Sequence, residues 1–136
     1  MKAQVFIAGV GVISAIGNNT AECLHALENG VAGIDDINFL DTSHRSRIPV
    51  AEVKLSNEEL ANKSGLSPLL SRTALLSSLA AGEALEDAGI ENLHQWRTGF
   101  VSANTVGGMD KTESFFAEFL SAKEKGKLRN LIHHEC

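Results

Sequence analysis

Gln4-Val5-Phe6-Ile7-Ala8-Gly9-Val10-Gly11-Val12-Ile13-Ser14-Ala15-Ile16-Gly17-Asn18-Asn19-Thr20 stands near the head of the chain of 136 residues. Val, Ile and Phe fill both parities of its first half. That is the pattern of a strand buried on both faces, as in a parallel sheet. A strand is expected over Val5–Ile13, interrupted or ended by Gly9 and Gly11. Asn19 is a good helix N-cap, with Glu22 three residues on to reach back to the cap amide. Ala21, Leu24, Leu27 and Ala26 then share an apolar helical face, and Gly30 supplies the left-handed residue that ends the helix. Cys23 lies on or beside that face and reads as a small buried hydrophobe.

Lys2 followed by apolar residues also has the look of a secretory leader. Three glycines and a directly following capped helix, with no cleavage signal before it, favour a strand instead. No apolar run approaches the roughly 20 residues needed to cross a bilayer.

Working outward, Gly33, Asp35-Asp36 and Asp41-Thr42-Ser43 are turn chemistry. Ile48-Pro49-Val50-Ala51-Glu52-Val53 reads as a short edge strand, because Pro49 cannot donate within a central ladder. Ser56 with Glu59 predicts a short helix over 57–63. Ser67-Pro68 predicts the start of a long helix that carries Leu69, Leu70, Leu75, Leu76, Leu79, Ala80, Ala84, Leu85 and Ala88 and closes at Gly89. Its apolar residues cover more than one face, as in a helix sandwiched between layers. Thr98–Asn104 reads as a second buried strand, with Thr105-Val106-Gly107-Gly108 as its turn. Asp110 with Glu113 opens another helix carrying Phe115, Phe116, Phe119 and Leu120, ended by Gly126. The order strand, helix, helix, strand, helix gives an α/β class with a predominantly parallel sheet. Two strands make a poor sheet, which points to a piece of something larger. There is no repeat, low-complexity tract or linker, so residues 1–136 are expected to be one incomplete domain without an internal boundary.

The bulk numbers are ordinary: 43% hydrophobic and 21% charged. A net charge of −5 argues against nucleic acid as a main partner, because phosphate neutralisation needs a basic face. Two cysteines make no disulfide framework and agree with a reducing compartment.

Each candidate for chemistry has a plainer counterpart. Gly9 and Gly11 match the first two glycines of a dinucleotide fingerprint, but Ser14 holds the third place and the helix begins late, at Asn19. The alternative is a strand packed tightly against a neighbouring layer. His133-His134-Glu135-Cys136 holds metal-ligand types, but adjacent residues seldom converge on one tetrahedral site, so no metal is expected. A terminal Cys136 lacks the rigid turn, base and oxyanion hole of a nucleophile. Lys123, Lys125, Lys127 and Arg129 fit a helix C-terminus in water.

Four stretches together resemble the N-terminal part of the β-ketoacyl-acyl-carrier-protein synthases of the elongating type. They are Val5–Asn18, Leu27–Ile34, Ser71-Arg72-Thr73-Ala74 running on to Ala84–Gly89, and Val106-Gly107-Gly108 with the acidic helix after it. The resemblance spans nearly the whole chain. It implies a partial thiolase-like fold, the first part of the N-terminal half of a layered αβαβα architecture. It implies decarboxylative condensation in fatty-acid or polyketide synthesis, with an acyl carrier protein as partner. The parent would be a cytoplasmic homodimer, or a heterodimer with a related subunit, needing no cofactor. The family's nucleophilic cysteine lies in a Thr-x-Cys turn some tens of residues beyond this stretch. Neither Cys136 nor Cys23 has that context, so no catalytic residue is expected here and the chain should be inactive alone. The same resemblance places Val106, Gly107 and Gly108 beside the acyl channel. The alternatives from the residues themselves are a small nucleotide-binding module using Gly9 and Gly11, and a non-catalytic interaction domain.

Overall fold

The structure is a computed structural model that describes residues 4–121. The readings that fall on Gly126, the basic run and His133–Cys136 lie outside the described residues. In chain order the elements are α1 (Thr20–Glu28), β1 (Ile34–Asp35), β2 (Val50–Ala51), α2 (Asn57–Ser64), α3 (Arg72–Asp87), a 3-10 turn (Leu93–Gln95) and α4 (Met109–Ser121). They divide between two compact units interleaved along the chain. The first takes residues up to Ser56 together with Leu79–Thr98; the second takes Asn57–Ser78 and the chain from Gly99 on.

In the first unit α1 begins where the cap residues place it. The Asn19 side chain accepts from the Glu22 N–H at 2.8 Å. The Glu22 carboxylate reaches back one residue further than a capping box requires, to the Asn18 N–H at 2.7 Å. Gly30, at φ +63°, ends the helix in the left-handed region. The Val31 N–H then returns to the Ala26 carbonyl at 2.8 Å, closing a Schellman turn. The buried face of α1 is Cys23 and Ala26, whereas Leu24 and Leu27 are exposed. This corrects the expected face in part: Ala26 is buried as read, whereas Ala21, Leu24 and Leu27 are not. The helix is apolar on both sides, and the side turned inward carries Cys23, which meets Ser14 and Gly17. Cys23 is buried as expected, its thiol 3.2 Å from the Ser14 hydroxyl and donating to the Gly17 carbonyl. Ile37 completes this small core.

The sheet corrects the sequence reading most. β1 and β2 pair antiparallel over two residues each, Ile34 opposite Ala51 and Asp35 opposite Val50. The edge strand expected around Pro49 therefore exists, but the parallel sheet does not form among the described residues. The expected strands over Val5–Ile13 and Thr98–Asn104 are not in any ladder. The physical reason is that a strand is defined by its neighbour. Both segments have strand-forming residues, and neither has a hydrogen-bonded strand beside it.

In the second unit α2 forms at Asn57–Ser64, close to the expected 57–63. Gly65, at φ +69°, ends it, and the Leu66 N–H returns to the Ala61 carbonyl. The long helix starts at Arg72 rather than at Pro68, a correction with a local cause. Ser67–Leu70 closes a turn of its own, with the Leu69 N–H on the Ser67 hydroxyl and the Leu70 N–H on the Ser67 carbonyl. Ser71, fully buried, then caps α3 by accepting from the Ala74 N–H. Among the described residues, Leu60, Ala61 and Leu75 are the buried apolar residues of this unit. α3 closes at its far end, in the first unit, through the Gly89 Schellman turn, the Ile90 N–H on the Leu85 carbonyl at 2.9 Å.

Candidate functional site

The glycine-bearing segment is held by α3. A Cβ on Gly9 would fall 2.6 Å from the Ala88 nitrogen, and one on Gly11 would fall 2.7 Å from the Ala84 nitrogen; in both cases a helix carbonyl is closer still. Alternate residues of an extended chain lie about 6.7 Å apart, and residues four apart in a helix about 6 Å. Gly9 and Gly11 therefore match the alanine row Ala80, Ala84 and Ala88, running antiparallel to it, at a distance only a hydrogen side chain permits.

Two carboxylates of α3 fasten the same segment. The Val10 N–H donates to Asp87 Oδ2 at 2.9 Å and the Val12 N–H donates to Glu83 Oε2 at 2.8 Å. The other Glu83 oxygen accepts from the Thr20 N–H at 2.6 Å, tying the start of α1 to the same side chain. The Thr20 N–H, opposed by burial and joined by that of Val12, holds the Glu83 carboxyl below its ordinary value. This arrangement bears on the dinucleotide alternative. Its glycines must turn backbone toward a pyrophosphate, whereas here they face a helix and the adjacent N–H groups already meet two carboxylates.

A second carboxylate cradle lies around β2. The Glu52 carboxylate accepts from three successive N–H groups, those of Asn38, Phe39 and Leu40. Burial raises its pKa, but these donors outweigh that and hold it below the ordinary value.

The residues tied by resemblance to an acyl channel fall in one turn of the second unit. The Gly107 N–H donates to the Asn104 side-chain oxygen, which would clash with a Cβ at Gly107. Gly108 is buried at φ +76° and caps α4, its carbonyl accepting from the N–H groups of Lys111 and Thr112. Val106 projects with about two-thirds of its surface exposed. The turn is thus buried and hydrogen-bonded at Gly108 and open at Val106.

A shallow groove also runs along α1, lined by Ile16, Ala21, Glu22, His25, Ala26 and Val31. Among the described residues no three His, Cys, Asp or Glu side chains gather as metal ligands. No described helix is long and apolar enough to cross a membrane. The sequence reading missed Glu83, Asp87 and Glu52. The only local sign was that Glu83 and Asp87 share one stripe of the alanine-rich helix at a spacing of four.

No family model matches the chain. Among curated proteins it is 34% identical over 101 residues to 3-oxoacyl-[acyl-carrier-protein] synthase 1 of Haemophilus influenzae, covering 72% of this chain and 24% of that protein. It is 31% identical over 88 residues to 3-oxoacyl-[acyl-carrier-protein] synthase 1 of Buchnera aphidicola from Schizaphis graminum, covering 65% of this chain and 22% of that protein. The chain belongs to the 3-oxoacyl-[acyl-carrier-protein] synthase family. It spans about a quarter or less of the length of the curated synthases it matches. The resemblance drawn from the four sequence stretches is therefore supported, and among its chemical types the family is that of acyltransferases.

Proposed function

We propose that the chain is the N-terminal part of a 3-oxoacyl-[acyl-carrier-protein] synthase and supplies scaffold rather than reactive groups. The single observation that carries this is 31–34% identity over 88–101 residues to synthases of which the match covers about a fifth to a quarter. The strand segment seated on α3 supports it, since an apolar segment open on one side is what a larger layered αβαβα body of thiolase-like type would cover. Residues 1–136 then form part of one domain of that body.

The complete enzyme would carry out the decarboxylative condensation of fatty-acid or polyketide synthesis on chains delivered by an acyl carrier protein. It would act in the cytoplasm as a homodimer, or as a heterodimer with a related subunit. Within it, Val106, Gly107 and Gly108 would border the acyl channel, Gly108 fixing the turn and Val106 presenting its side chain. The thiolate that accepts the acyl group would come from elsewhere in the polypeptide. Cys23 is unsuited to that role: it is buried and its thiol is engaged by Ser14 and Gly17.

The test is direct. Purified 1–136, given malonyl and acyl carrier protein, is expected to release no carbon dioxide and form no new carbon–carbon bond. Turnover above background that disappears on Cys23→Ala or Cys136→Ala would contradict the proposal.

A further inference from the structure

We propose that the backbone of residues 38–40 is a carboxylate-binding cradle with Glu52 as its in-chain ligand, and that this contact is a releasable strap on the loop 36–49, which opens without the rest of the first unit. The proposal does not depend on the family reading.

The loop leaves β1 after Asp35 and returns to β2 at Val50. The ladder beneath it has two residue pairs, Ile34 with Ala51 and Asp35 with Val50, and so short a pair is marginal by itself. Glu52, the first residue past β2, reaches the outgoing limb of the loop. One of its oxygens accepts from the Asn38 and Phe39 N–H groups, the other from those of Phe39 and Leu40 at 3.2 Å each. Successive N–H groups converging on one anion form a nest, whose ligand class is an oxyanion, and bonds to a charged acceptor are stronger than neutral ones. Lys54, paired with Asp35 at 3.7 Å, favours the ionised form of Glu52. Ile37, 4% exposed, anchors the outgoing limb just before the cradle, and Pro49 fixes φ just before β2. Between these two points Phe39, Leu40 and Ile48 are exposed. The tip holds itself together: the His44 N–H donates to the Thr42 hydroxyl at 3.2 Å and the Arg47 N–H to the His44 carbonyl at 3.0 Å. A loop with a buried anchor, a self-contained tip and a side-chain strap opens when that side chain swings away, and Cys23, Ala26 and Ile37 stay packed.

The experiment reads amide hydrogen exchange on the full chain near neutral pH. Glu52→Ala is expected to speed exchange at Asn38, Phe39 and Leu40 by about tenfold, with Val10, Val12 and the amides of α1 unchanged. Sodium formate, a free carboxylate, should slow the three amides again in that variant, whereas sodium chloride at the same ionic strength should not. Lys54→Ala, which removes the ion pair with Asp35 and leaves the cradle in place, should change the three rates by less than about threefold. Unchanged exchange at the three amides in Glu52→Ala would overturn the proposal. Equal acceleration at Val10, Val12 and α1 would overturn it too, by making Glu52 a support of the whole unit. No recovery with formate, or equal recovery with chloride, would overturn the cradle as a carboxylate site.

Discussion

Two segments of this chain were both read as strands and have different fates. Val5–Ile13 and Thr98–Asn104 both run into glycine-bearing turns, the first without a polar side chain, the second carrying Thr98, Ser102 and Asn104. The first is seated: its glycines lie on the alanine row of α3, and two of its N–H groups are held by Glu83 and Asp87. Among the described residues the second has no comparable support; Val101 is 92% exposed and Phe100 72%. Extended conformation is a local property that residue type can impose. Burial is not, and it requires a partner whose shape and donors match. Glycine on one side and alanine on the other make that match for the first segment at only one of its surfaces.

The seat can be broken most severely at Gly11. Gly11→Val places carbon against helix backbone, which cannot swing aside as a side chain can. A loss of about 3 kcal/mol or more is expected in urea unfolding followed by circular dichroism. The opposite change on the same helix sharpens the contrast. A Cβ at Gly82 meets nothing within 4 Å, so Gly82→Ala should stabilise by about 0.5–1 kcal/mol.

Glu83→Gln removes the charge from the fastening side chain while leaving one acceptor oxygen. About 1 kcal/mol should be lost at pH 7, discounted for a side chain that still meets solvent. The pH dependence has a definite sign. The Glu83 and Glu52 carboxyls are lowered in the folded chain, so their contribution is complete above the unfolded carboxyl pKa of about 4.3. It fades as pH falls below that value and through the lower folded one. Glu83→Gln should flatten this acid-side decline relative to the wild type. The smallest effect belongs to the unsupported segment: Val101→Thr should shift stability by less than about 0.5 kcal/mol, since nothing packs on that side chain to be lost.

What was legible in the sequence follows the same division. Asn19, Gly30 and Gly89 marked helix ends because capping is settled within a few residues. The start of α3 was misplaced because Ser67-Pro68 and Ser71 are both good caps, and the burial of Ser71 decides between them. The buried face of α1 was read only in part: Ala26 was on it, but Leu24 and Leu27 were placed there because they are more apolar than Cys23, and in the structure they are exposed. The fastening by Glu83 joins residues 63 and 71 apart in sequence, a distance over which no local pattern speaks. The loop at Val106-Gly107-Gly108 was visible as a turn. Its Asn104 clamp was not, because an asparagine bond to the N–H three residues on depends on the turn's geometry.

Amide hydrogen exchange on the isolated, monomeric chain tests most directly whether the first segment is a strand seated on one side and open on the other. The account predicts slowed exchange at Val10 and Val12, and near-intrinsic rates at Val5 to Ala8 and at Phe100 to Ser102. Strong protection across Val5 to Ala8 in the monomer would show a strand already paired within the chain, and would contradict it.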